Sequence, residues 1–311
     1  MSSPTVYIAL QKFCERDDRP RKLLREAGFN LKENSLGRRP RKEELPDLLR
    51  EVDAVIAGVE PYGAEVLAAL PRLKCISRCG AGNDAIDLKT ARERSIAVFT
   101  TPDETTEPVA QMTVAMILAL ARNLPLHLRD FNQGSWKKHT GVLLSEWTIG
   151  LVGFGRIGRA VARHLHPFGP KILATDPALA SAQLPSGVEE RSLQNLLAQS
   201  DLISLHANRH PAEGPLLGPE EFHRMKPDCR LVNTARGHLI DEAALLAALK
   251  AGQISAAALD VFQEEPYTGP LAQLPQVLLT PHVSTLTTAS RAAMELRSAQ
   301  NVVEFFSRGN R

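Results

Sequence analysis

TIGLVGFGRIGRAVARHL, residues 148–165, is the stretch from which the fold can be read. An apolar run ends at Gly153, a helix opens near Arg156, and Gly153, Gly155 and Gly158 stand between and beyond them as G-x-G-x-x-G. The bare glycine pattern is a weak signal, but between a strand and a helix each position has a physical task. The first glycine makes the tight turn, the second admits a phosphate to the backbone, and the third lets the helix approach the sheet.

Outward from this stretch the same alternation repeats. KILAT, LISLH, RLVNT, SAAALDVF and VLLTP read as strands apolar on both faces, with helices such as DEAALLAALK between most of them. Such strands form a parallel sheet covered on each side. The first hundred residues repeat the theme less regularly, with strands TVYIAL, DAVIAG, LKCISRC and IAVFT. The expected fold class is therefore α/β, with two doubly wound parallel-sheet domains. One is a Rossmann cofactor domain over 101–287; the other is a smaller flavodoxin-like substrate domain over 1–100 and 288–311, closed by the last helix. TTEPVAQMTVAMILALARNL, residues 105–124, is apolar around most of a helix and is expected to be buried where the domains meet.

Composition narrows the function classes. With 311 residues the chain has room for two cores, and 43% hydrophobic with 23% charged residues is the balance of a globular protein. A net charge of +2 gives no reason to expect nucleic acid or an anionic membrane as partner. Cys14, Cys75, Cys79 and Cys229 lack the spacing of a metal knuckle or a redox pair, so no metal is expected and reduced thiols are. MSSPTVYIAL lacks the pattern of a signal peptide, and VAQMTVAMILALA is too short to span a bilayer. A cytoplasmic protein is the expectation.

The strand KILATD ends at Asp176, 18 residues past Gly158, where this fold places the acid that holds the adenosine ribose hydroxyls. A carboxylate there repels a 2′-phosphate, so the expected cofactor is NAD. The pyrophosphate would meet the start of the helix, with Arg156 adding charge. Further strand ends carry Arg236, Asp260 followed by Glu265, and His282. In a parallel sheet these ends share the carboxyl edge, where ligands bind. A cation, a carboxylate and an imidazole suit hydride exchange between NAD and a hydroxy acid. His282 would exchange the hydroxyl proton, one of the adjacent Glu264 and Glu265 would favour its imidazolium while the other is a solvated loop charge, and Arg236 would grip a carboxylate with two hydrogen bonds. Asp260 would face the nicotinamide amide or support the site. His206, at another strand tip, could serve as a second base, but it lies in the region where such folds hold adenine. His164, His166, His223 and His238 have no partners at matching strand ends and read as surface residues.

GFGRIG, NTARG, ALDVFQEEP and LLTPH stand in an order and spacing that resemble the NAD-dependent D-isomer-specific 2-hydroxyacid dehydrogenases essentially from end to end. The resemblance implies that Arg236, Glu265 and His282 are catalytic and that Asp260 lies at the nicotinamide. It also implies cofactor contacts from Thr106, Ile157, His206 and Thr234. SRCGAGNDAIDL resembles the family's substrate loop, which implies that Arg78, Gly80, Ala81 and Gly82 hold the substrate with Arg236 and His282 as the domains close. Arg78 and the pair Lys137 and Lys138 resemble phosphoglycerate dehydrogenases, where cations meet the substrate phosphate. The implied partner is a small anionic 2-hydroxy acid or 2-oxo acid, 3-phosphoglycerate among them, and the implied assembly is a homodimer built through the cofactor domain. A glyoxylate or hydroxypyruvate reductase is the alternative within the family, and a non-catalytic NADH-sensing protein of the same fold the alternative outside it. The sequence departs from the family pattern at Asp103, Thr105 and Gln111, at LLSEWTIG, and at HANRHPAEG.

Overall fold

A computed structural model describes residues 3–179, 184–208 and 211–308. The chain forms two compact units, Met1–Thr105 with Leu286–Arg311, and Thr106–Thr285. Sequence patterning set the changeovers a few residues away, at 100/101 and 287/288.

In the first unit, strands β1 (Thr5–Ile8), β2 (Asn30–Glu33), β3 (Ala54–Ala57), β4 (Cys75–Arg78) and β5 (Ala97–Phe99) form one sheet. Its order is β2-β1-β3-β4-β5 with every pair parallel, the flavodoxin-like order expected. Alternation along each strand builds two cores. Tyr7, Val55 and Ile76 face α2 (Leu45–Leu49), α3 (Ala64–Ala68) and α4 (Leu88–Glu93). Val6, Ile8 and Ile56 face α1 (Arg19–Glu26) and α11 (Thr288–Arg308), whose Leu24, Met294 and Val302 are buried there.

The second unit begins in α5 (Asp103–Ala121) and continues through α6 (Leu124–Asn132) into a seven-stranded sheet. Its strands are β6 (Thr148–Val152), β7 (Lys171–Thr175), β8 (Val188–Glu190), β9 (Leu202–Leu205), β10 (Cys229–Asn233), β11 (Ile254–Leu259) and β12 (Val277–Leu279). The order β12-β11-β10-β9-β6-β7-β8 is parallel throughout, and it reverses direction between β6 and β9. Ile149, Leu151 and Val232 pack under α5 and α7 (Arg156–Leu165). Ile203, Leu205 and Leu231 pack under α8 (Leu193–Gln199), α9 (Pro219–Arg224) and α10 (Glu242–Lys250). Asp241 and Ser192 start α10 and α8 by accepting from the N–H groups of Ala244 and Asn195. Among the described residues no single helix is long and apolar enough to cross a membrane.

β2 and β8 escaped the sequence reading. NLKE and VEE are charged edge strands with one neighbour each, unlike the apolar edge strands β5 and β12, so they lack the apolar run that marks a strand.

Leu151 is fully buried in β6. Leu151→Ala is expected to cost about 2–5 kcal/mol in urea unfolding. A loss no larger than a surface substitution gives, about 0.5 kcal/mol, would remove β6 from the centre of the core.

Candidate active site

The glycine turn holds three backbones together. Gly153 takes φ +93°, and a Cβ there would lie 2.5 Å from the backbone of His206 and Ala207, where β9 ends. A Cβ on Gly158 would lie 2.3 Å from the Gly153 carbonyl oxygen. At Gly155, by contrast, a Cβ meets nothing within 4 Å, and no side chain caps the first turn of α7. An open glycine beside uncapped N–H groups is an anion cradle. Arg156 is exposed at its rim, and Ile157 is half-buried against the core.

Asp176 borders this turn. Its carboxylate accepts from Phe154 N at 2.7 Å and from Ala178 N at 2.9 Å, which leaves lone pairs for hydroxyl donors. His206 has Nε2 3.0 Å from Ser204 Oγ, while Nδ1 is shielded from solvent and has no partner among the described residues. Burial pulls the pKa of this imidazole down to about 3. Burial thus favours the neutral ring. A glycine cradle, a free-edged carboxylate and an orphaned ring nitrogen along the point where the strand order reverses fit a dinucleotide. Arg209 and His210 of HANRHPAEG lie outside the described residues.

The proposed catalytic side chains occupy the same edge, two to four strands further on from β6. His282 takes φ +53°, a left-handed conformation that costs a non-glycine residue about 1–3 kcal/mol. Its Nδ1 sits 2.9 Å from Glu265 Oε2 and 3.1 Å from Oε1. The Glu265 carboxylate also accepts from Phe262 N at 3.2 Å. Both side chains are solvent-accessible, at 47% and 37% exposure, so a small molecule can reach the pair.

Asp260, fully buried, explains how the His282 turn is held. Oδ1 accepts from Thr280 Oγ1 at 2.5 Å and Val283 N at 2.9 Å; Oδ2 accepts from Ser284 Oγ at 2.5 Å and Ser284 N at 2.9 Å. All four donors lie within two residues of His282. The resemblance pointed Asp260 toward the nicotinamide, and the geometry gives it the positional task of fixing the imidazole's backbone.

Arg236 follows β10 on a turn clamped by the buried Asn233, whose amide accepts from Ala235 N and donates to the Arg236 carbonyl. Thr234 Oγ1 lies 2.8 Å from Thr113 Oγ1 of α5, which also bonds the Val109 carbonyl. A Cβ on Gly237 would lie 1.9 Å from the Phe262 backbone. The Arg236 turn thus packs directly on the segment that carries Asp260 to Glu265. Thr106 is half-buried on α5.

In the first unit, Arg78 ends β4 and donates from Nη1 to the Cys79 carbonyl at 2.9 Å. Its guanidinium lies over Gly80, where a Cβ would fall 1.2 Å from Nη1. Thr101 fixes this loop on both sides, accepting from Gly80 N at 2.7 Å and donating to its carbonyl at 2.9 Å. Ala81 is exposed and Gly82 half-buried beside it. Asn233, Thr101, Thr280 and Ser284 went unnoticed in the sequence, because only their partners in space distinguish them from ordinary polar residues. Of the remaining histidines, His164 pairs with Glu107 at 2.6 Å, and His223 bonds the Pro219 carbonyl.

Residues 114–284 match the model of the D-isomer specific 2-hydroxyacid dehydrogenase, NAD binding domain. The chain belongs to that family. Among its relatives it is 37% identical over 270 residues to a D-3-phosphoglycerate dehydrogenase of Mycobacterium bovis, covering 85% of this chain and 50% of that one. It is 37% identical over 276 residues to a glyoxylate reductase of Korarchaeum cryptofilum, covering 86% and 83%. The dehydrogenase thus spans about twice the length that this chain matches. Among solved structures, a D-lactate dehydrogenase from Aquifex aeolicus complexed with NAD and lactic acid superimposes with a TM-score of 0.82 at 27% identity, over 98% of this chain and 96% of that one. The glycine cradle described above therefore lies in an NAD-binding domain of the 2-hydroxyacid dehydrogenase family.

Asp260→Asn places an amide NH2 against donors that need acceptors. Each orphaned donor costs about 1–3 kcal/mol, so the unfolding midpoint in urea is expected to fall measurably. Unchanged stability would mean that the carboxylate does not anchor the His282 turn.

Proposed function

We propose that this protein is an NAD-linked oxidoreductase that interconverts a small D-2-hydroxy acid and its 2-oxo acid. The observation that carries the reading is the His282–Glu265 contact, seated next to the Arg236 turn on the same sheet edge as the NAD-binding glycine turn. Bound NAD supplies the hydride acceptor. The chain's own residues do the rest. Arg236 presents a planar fork to the substrate carboxylate and draws electron density from the reacting oxygen. His282 Nε2, the nitrogen not engaged by Glu265, takes the hydroxyl proton in oxidation and returns it in reduction. Glu265, through Nδ1, fixes the ring's orientation and tautomer. Arg78 and the backbone of Gly80, Ala81 and Gly82 offer a second set of anion donors.

Among substrates, the cations Arg78, Lys137 and Lys138 favour an acid with a second anionic group, as in 3-phosphoglycerate; both lysines are exposed. A glyoxylate or hydroxypyruvate reductase is the second reading, favoured by the near full-length match to the Korarchaeum reductase. A non-catalytic NADH sensor has no need of a histidine held in left-handed backbone against a carboxylate. Turnover across a panel of acids, with NAD and NADP, separates these readings. His282→Gln is expected to lower kcat by about 10²–10⁴ while NADH binding, followed by fluorescence, is retained. A rate within a few-fold of wild type would remove His282 as the proton carrier.

The reading includes a homodimer and a cytoplasmic location. Cys75, Cys79 and Cys229 are buried free thiols and Cys14 is half-buried, as a reducing compartment allows. α6 and the loop after it expose Leu128 (60%), Phe131 (67%), Trp136 (81%) and Leu143 (65%), an apolar face that a second copy would cover. Trp136→Glu combined with Leu128→Glu is expected to halve the mass measured by light scattering. An unchanged mass would put any interface elsewhere.

A further inference from the structure

The opposite, amino edge of the second sheet holds a feature that the proposed reaction does not use. A cavity of about 140 Å³ is lined by Leu120, Asn123, Leu126, Arg230 and Ala256, with Ser255 and Gln276 near its rim. Arg230 is the second residue of β10, and its neighbours across the ladder are Leu202 and Ala256. Alternation therefore turns it toward the face where Val232 and Ala258 are core residues. A cation at such a position needs a reason.

Its surroundings leave the charge largely unanswered. The guanidinium stacks on Trp147 with its carbon 4.7 Å from the ring centroid. One Nη2 bond reaches Asn123 Oδ1 at 3.3 Å, which is long for a hydrogen bond to a cation. Nε is shielded from solvent and has no partner, and among the described residues no carboxylate stands within ion-pair distance. Burial works against the charged form, and Asp228 offsets that from farther away. Asn123 is itself fixed by donating to the Thr140 carbonyl at 2.8 Å, so its oxygen is held in place. The side chain is stacked, oriented and short of acceptors.

We propose that this cavity is a binding site for a small organic monocarboxylate, separate from the His282 site. One fixed guanidinium matches one carboxylate, and a single positive charge suits a monoanion. Leu120, Leu126 and Ala256 offer apolar contact to a short carbon tail. At about 10–15 Å³ of such volume for each water, the space is ample for a carboxylate of acetate to butyrate size. Arg230 and Arg236 are six residues apart on and just past β10, which at a rise of about 3.3 Å per residue spans up to roughly 20 Å between the two edges.

The test uses Arg236→Gln protein, which removes the carboxylate fork of the proposed reaction site; the Arg230 and Ala256 variants then assign whatever carboxylate response remains. Acetate, propionate and butyrate are titrated against chloride and sulfate at constant ionic strength, with thermal unfolding and calorimetry as readouts. Propionate is expected to raise the midpoint saturably where chloride does not. Arg230→Met should abolish that response, and Ala256→Leu, which fills the cavity and spares the guanidinium, should weaken binding at least tenfold. If Arg230→Met fails to fold, the Ala256→Leu result decides. Equal response to chloride, or a propionate response untouched by Ala256→Leu, overturns the proposal. Either result leaves the His282 reading standing, because neither variant touches that edge.

Discussion

A parallel ladder puts the carboxyl end of every strand on one edge, and the second unit is organised by that constraint. Neighbouring strands lie about 4.8 Å apart, so the order β12-β11-β10-β9-β6-β7 sets out side chains like positions on a ruler. His282 follows β12, Asp260 follows β11, Arg236 follows β10, His206 follows β9, Gly153 follows β6 and Asp176 follows β7. The polar chemistry proposed for the reaction and the cradle that fits a dinucleotide are therefore neighbours by topology. The reversal between β6 and β9 is where Gly153 touches the backbone of His206 and Ala207. Only a residue without a Cβ allows that approach.

Topology alone does not aim an imidazole. His282 occupies a backbone conformation that an isolated chain would rarely visit, and the opposing force comes from Asp260. A fully buried carboxylate without partners would be intolerable, and this one has four donors. Charge-assisted bonds of about 1.5–3 kcal/mol each outweigh a strain of about 1–3 kcal/mol. The same economy of shape recurs at Gly237, where a missing side chain lets the Arg236 turn rest on the Phe262 backbone. Close backbone approaches, more than side-chain contacts, fix the spacing of these groups.

Much of this was legible in the sequence because buried parallel strands announce themselves as apolar runs and end in polar residues that need a reason to be there. Arg236, Asp260 and His282 stand at such ends. The edge strands β2 and β8 carry no such signature, since their side chains are largely charged and mostly exposed, whereas the edge strands β5 and β12 keep apolar runs. Nor could the sequence separate Asp260 as an anchor from Asp260 as a ligand contact, because its donors come from a segment 20 to 24 residues away. His206 shows a related limit. Its position at a strand tip is visible in one dimension, whereas the enclosure that keeps it neutral is not. Thr101 and Asn233 illustrate the general limit: each is an ordinary polar residue until a loop is found folded against it.

β10 gives the sharpest contrast between the two edges of the sheet. Arg230 stands near its start and Arg236 just past its end, and the two face opposite demands. A loop arginine at the carboxyl edge can turn with its backbone toward whatever the turn is built to meet. An arginine inside the strand has its direction dictated by alternation, and for Arg230 that direction is the apolar face beneath α5. Placing a guanidinium there costs solvation that the stacking on Trp147 and one long bond to Asn123 recover only in part. A leucine or methionine would fill the same position without that cost. Arg230 is half-buried, so water meets part of its demand, and the proposed carboxylate in the cavity beside it would supply the rest from outside the strand, the helix and the loop that surround it.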